Sequence, residues 1–142
     1  MPFLEIVFPA LVFIFSAIIL PWAILKGGEA ERISALIFLA SVFASWPAYY
    51  FHSLPYTAII LLSIDGLAAL GFLFVALTYQ HLWIALIMFC IAAYFSLHAY
   101  YLAAARPLDQ DFAHFTNLAT LLILLALAQG VRSSRRRSAG RT

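Results

Sequence analysis

The sequence predicts an all-α polytopic membrane protein, a compact bundle of five transmembrane helices, and three observations lead there. Hydrophobic residues make up 65% of the 142 and charged residues only 10%, with a mean hydropathy of +1.00, a balance no soluble domain of this size can hide in one core. The apolar residues fall in continuous runs of roughly 20, the length a helix needs to cross a bilayer. The runs lack the alternation of barrel strands, and lipid cannot satisfy an open backbone, so helices are the remaining solution.

The spans are expected at Phe3 to Leu25, Ile33 to Phe51, Thr57 to Thr78, Leu82 to Ala104 and Ala113 to Val131. The first is read as a retained helix and not a secretion signal, because Met1 to Glu5 carry no Lys or Arg and the apolar stretch is too long. Breaks fall at Lys26-Gly27-Gly28-Glu29, His52-Ser53-Leu54-Pro55-Tyr56, Tyr79-Gln80-His81 and Arg106-Pro107-Leu108-Asp109. Connections this short make successive helices antiparallel neighbours. Pro9, Pro21 and Pro47 are expected to kink or end turns within their helices. Residues 1–131 thus form one bundle and residues 132–142 a basic tail, with no room for a separate water-soluble domain.

Charge sorts the two ends. Lys26, Arg32, Arg132, Arg135, Arg136, Arg137 and Arg141 fall on one face, and only Arg106 on the other, beside Asp109 and Asp111. The positive-inside rule then puts the N-terminus outside and the C-terminus in the cytoplasm of a bacterial-type inner membrane. Arg132, Arg135, Arg136 and Arg137 read as a topology anchor that also attracts anionic lipids. The tail lacks interleaved aromatics, so no nucleic-acid partner is expected. Trp22, Tyr79 and Trp83 at one interface and Tyr49, Tyr50, Tyr56, Tyr100 and Tyr101 at the other form aromatic belts.

Function has one principal lead. Asp65 lies near the middle of the third span, about 4 Å from the midplane at the helical rise, and a carboxylate at that depth is costly. His98 and Asn117, on the fourth and fifth spans, lie about 7–8 Å from the midplane in the same outer half. Together they offer a proton acceptor, an imidazole of the kind that titrates near neutrality, and a bridging amide. Glu5, His52 and His114 stand near the outer mouth and could extend a wet path. A structural latch between Asp65 and His98 or Asn117 predicts the same residues.

Other chemistries find little support. The four histidines show no metal or haem ligand spacing, so no metal site is expected and a haem-, quinone- or pigment-bearing subunit is the weaker alternative. No nucleophile elbow or phosphate loop occurs, and no enzymatic activity is expected. Cys90, the single cysteine, reads as a packed thiol. Small residues recur at helical spacing as Ala40, Ala44 and Ala48, and as Ala92, Ser96, Ala99 and Ala103, the pattern that lets backbones approach closely. The leading expectation is therefore an accessory or structural subunit of a larger membrane complex or homo-oligomer. The competing one is a proton-, ion- or small-ligand-binding bundle built on Asp65, His98 and Asn117.

Overall fold

The computed structural model describes residues 2–50 and 56–139, with side chains for 7–47 and 56–139. It is all-helical: α1 (Pro2–Lys26), α2 (Glu29–Tyr50), α3 (Thr57–Tyr79), α4 (Leu82–Ala103) and α5 (Gln110–Ala139). Four helices are long and apolar enough to cross a membrane, over Val7–Lys26, Thr57–Tyr79, Leu82–Ala103 and Gln110–Ala139. The second helix is not among them, because Glu29, Glu31 and Arg32 open it ahead of the apolar run.

The helices form a closed ring in which each packs on its sequence neighbours and α1 packs on α5; α2 also touches α5 across the middle. Among the described residues α3 and α5 do not meet. Pro9 and Pro21 sit inside α1 and Pro47 inside α2 without ending either helix.

The ends of α5 and α4 have local causes, and the first departs from the expected boundary. The stretch from Arg132, expected as an unpacked tail, continues α5 to Ala139. Val131 is fully buried, arginine is a good helix former, and basic side chains complement the negative end of the helix dipole. Ser133 and Ser138 also donate their hydroxyls to the carbonyls of Gln129 (2.9 Å) and Ser134 (3.2 Å), so they continue the helix instead of breaking it. At the other end, α4 stops in a Schellman motif: the Arg106 N–H donates to the Tyr101 carbonyl (3.0 Å) and the Ala105 N–H to that of Leu102 (3.2 Å). Ala105 occupies the left-handed position there (φ 49°), where glycine is the usual residue.

The core is concentrated toward the end of the bundle where α1, α3 and α5 finish. Leu20 and Ala23 of α1, Ala35 and Phe38 of α2, Phe72 and Val75 of α3, Ile84 and Ile87 of α4, and Leu124 and Leu127 of α5 pack together. Gly130 allows a close approach between α4 and α5, since a β-carbon there would stand 2.7 Å from the Trp83 ring. The buried Cys90 thiol is part of this core. Phe13, Ile18, Leu67, Leu70, Phe74, Leu77 and Phe89 point outward, the arrangement that suits helices surrounded by lipid.

Two substitutions test this packing. Gly130→Ala is expected to destabilise the bundle by about 1–3 kcal/mol, the range for overpacking, and the cost should shrink when Trp83 is first reduced to Leu, as read by unfolding in mixed detergent. Ala105→Gly is expected to stabilise by about 1 kcal/mol, relieving the left-handed alanine.

Candidate functional site

The sharpest polar feature joins α3 and α4. Asp65 Oδ2 and His98 Nδ1 are hydrogen-bonded, with the imidazole side chain 2% exposed and the carboxylate 12%. Both helices are otherwise apolar at this level, so each group satisfies the other where water is scarce. The second ring nitrogen, His98 Nε2, is buried and has no hydrogen-bond partner among the described residues. With Asp65 ionised and the imidazole neutral, Nδ1–H donates to the carboxylate and Nε2 carries a free lone pair, the tautomer that a carboxylate partner selects.

Aromatic rings close over the imidazole. Tyr94 meets it edge-on with centroids 4.9 Å apart, and Phe112 of α5 lies 4.6 Å away. Phe112 is held there by the start of its own helix. Asp109 is the N-cap of α5, and its Oδ1 accepts the Phe112 N–H at 3.0 Å. The same oxygen accepts the Tyr101 hydroxyl at 2.8 Å, while Oδ2 accepts Arg106 Nη2 at 3.1 Å. The Arg106 guanidinium also lies over the Tyr101 ring, 5.0 Å from its centroid, and Tyr101 packs on Phe112 at 5.1 Å. A turn outside the spans therefore fixes one wall of the dyad. The Phe112 N–H, the Tyr101 hydroxyl and Arg106 together hold the Asp109 carboxyl below its usual range.

Of the three residues expected to converge, Asp65 and His98 meet and Asn117 makes no hydrogen bond with either. The reason is topological: Asn117 is on α5, which does not reach α3, and it stands more than a turn beyond Phe112. His114 packs against Phe8 of α1 at 5.8 Å, away from the dyad. His52 and the side chains of Glu5, Ala48, Tyr49 and Tyr50 lie outside the described residues. Ala92, Ser96 and Ala103 on α4 are exposed and Ala99 is half-buried, and Ala40 and Ala44 on α2 are also exposed. The small-residue stripes thus face largely away from the chain's own helices. Arg132, Arg135, Arg136 and Arg137 are all exposed on the last turns of α5.

Sequence reading missed one polar group. Among the described residues, Glu31, 2% exposed, has no hydrogen-bond partner for its Oε1, and the neighbouring Ser34 hydroxyl is fully buried without one. The signal was there: Ala30, Glu31, Ser34, Ala35 and Phe38 are spaced along one helical face, and all five are buried. Among the described residues no three His, Cys, Asp or Glu side chains gather as metal ligands would. Comparison with protein-family models, with curated proteins and with solved structures finds no match to this chain.

Two measurements bear on this geometry. Asp65→Asn and His98→Ala are expected to be strongly non-additive in unfolding free energy, with a coupling of about 0.5–3 kcal/mol in a double-mutant cycle. The second measurement concerns Asp109. Its folded pKa is depressed, so its contribution is complete above the ordinary carboxylate range and is lost as pH falls through the depressed value. Amide exchange in the first turn of α5 should accelerate on acidification, and Asp109→Asn should flatten that dependence.

Proposed function

We propose that this chain is a small helical-bundle membrane protein whose Asp65–His98 dyad binds and releases a proton, or accepts a hydrogen bond from a small polar ligand, inside the bundle. The reading is of a binding protein and not of an enzyme. One observation carries it: the Asp65 carboxylate holds Nδ1 of His98 while Nε2 is buried and, among the described residues, has no hydrogen-bond partner. A latch that only fixed helix register would need the carboxylate bond alone, whereas a partnerless buried acceptor is costly unless something visits it.

The proposed setting is a bacterial-type cytoplasmic membrane with five crossings, the N-terminus outside and the C-terminus inside. Support comes from the Lys and Arg residues gathered at one end of the ring and from the apolar remainder of α2 behind its charged first turn. In that orientation the dyad lies in the outer half, below the turn capped by Asp109.

A second reading is association with a larger membrane protein or with further copies of the chain. The outward-facing Ala92, Ser96 and Ala103 favour it, because small residues on an exposed face let another helix approach closely. The two readings are compatible, since a partner on α4 would border the dyad.

The decisive test is the pH dependence of thermal stability in lipid nanodiscs. Wild type should show a protonation-linked change that both Asp65→Asn and His98→Gln remove while leaving the fold intact; an unchanged profile in both variants would leave the dyad a latch. The topology is tested by a C-terminal tag, expected to be labelled only after the cytoplasmic face is opened.

A further inference from the structure

At the opposite end of the bundle from the dyad, the α1–α2 turn faces the last two turns of α5 across a cavity of about 480 Å³. Its lining carries both signs of charge: Glu29 and Glu31 from α2, Arg136 and Arg137 from α5, together with His81 and Ser134. Glu31 is the unusual member, a buried carboxylate with Oε1 unpartnered. The absence of a side chain at Gly28 makes room for it, since a β-carbon there would lie 2.8 Å from Glu31 Oε2 and 3.0 Å from Ser134 Oγ.

A second space borders on three of the same residues. A groove of about 970 Å³ between α4 and α5 is lined by Leu82, Leu86, Leu122 and Leu125 among others, and it shares His81, Arg136 and Arg137 with the polar cavity. From Arg136 to Leu122 the groove follows α5 for about 21 Å at the helical rise. A charged lining next to a long apolar groove, with His81, Arg136 and Arg137 common to both, matches the polarity of an amphiphile.

We propose that this composite pocket binds a phospholipid whose headgroup carries both a phosphate and a primary ammonium. The two guanidiniums suit the phosphate, which they can engage through paired N–H donors. The ammonium supplies the N–H donors that the Glu31 carboxylate lacks, and the acyl chain lies along Leu82, Leu86, Leu122 and Leu125. A purely anionic headgroup would satisfy Arg136 and Arg137 but set its charge against Glu29 and Glu31. A choline headgroup has the right charges and no N–H to donate. The site is independent of the Asp65–His98 dyad.

The test is native mass spectrometry of the full chain released from bilayers containing equal amounts of phosphatidylethanolamine, phosphatidylcholine and phosphatidylglycerol. Wild type should retain phosphatidylethanolamine over phosphatidylcholine by roughly tenfold, the scale of one charge-assisted hydrogen bond. Glu31→Gln should reduce that ratio toward one, and Arg136→Gln with Arg137→Gln should weaken both zwitterionic lipids together. Equal retention of ethanolamine and choline lipids by wild type, or dominance of phosphatidylglycerol, would overturn the proposal, and neither comparison requires a variant to fold. Saturable binding of soluble phosphoethanolamine that displaces no lipid would overturn it as well, making this a site for a water-soluble ligand.

Discussion

A carboxylate placed among apolar helices must find a hydrogen-bond donor or lose its charge, and much of this molecule's arrangement follows from how that demand is met. Asp65 on α3 can reach His98 only if α3 and α4 are adjacent and in one register. The short Tyr79-Gln80-His81 connection provides this, with Gln80 in the left-handed conformation and its N–H donating to the Ala76 carbonyl at 3.1 Å. Satisfying the carboxylate spends one nitrogen of the imidazole and leaves the other buried with no hydrogen-bond partner among the described residues. The chemistry proposed for the dyad rests on that remainder.

The two ends of the bundle are built differently. Around Trp83 and Gly130 the helices interlock through apolar side chains and a missing β-carbon, a contact that tolerates little change in volume. Toward the other end, order comes from directional bonds: Asp109 caps α5, binds Tyr101 and Arg106, and so seats Phe112 on the imidazole. The Asp109 turn ties the dyad to the end of the bundle, because the residue that caps α5 also sets the ring beside His98.

The helical class and the turns after α1, α3 and α4 were legible because long apolar runs broken by Gly, Pro and charged residues admit few alternatives, while the expected turn at 52–56 lies almost wholly outside the described residues. The Asp65–His98 contact was legible in part, since depth along a helix follows from residue count. Azimuth does not, and Asn117 matched in depth while belonging to a helix that never reaches α3. Small-residue stripes announce close packing without saying against what; only the helix rotations put Ala92, Ser96 and Ala103 on the outside. The helical course of Arg132 to Ala139 was hidden by its polarity, because a stretch with nothing to bury looks like a tail until the preceding turn, ending in Val131, is seen to be anchored. Glu31 was obscured for a similar reason: a glutamate near a turn reads as solvated until its helical face proves to be the buried one.

The central claim is that His98 is held by Asp65 through Nδ1 and keeps Nε2 available. Nitrogen-15 NMR of histidine-labelled protein in lipid bilayers reports the protonation of both ring nitrogens directly, with His98→Gln to assign the signal. The account predicts a hydrogen-bonded Nδ1–H and an unprotonated Nε2 at high pH, with Nε2 gaining a proton on acidification and the response altered by Asp65→Asn. An Nε2 that carries a proton throughout, or a His98 signal that ignores both pH and the loss of the Asp65 charge, would contradict it.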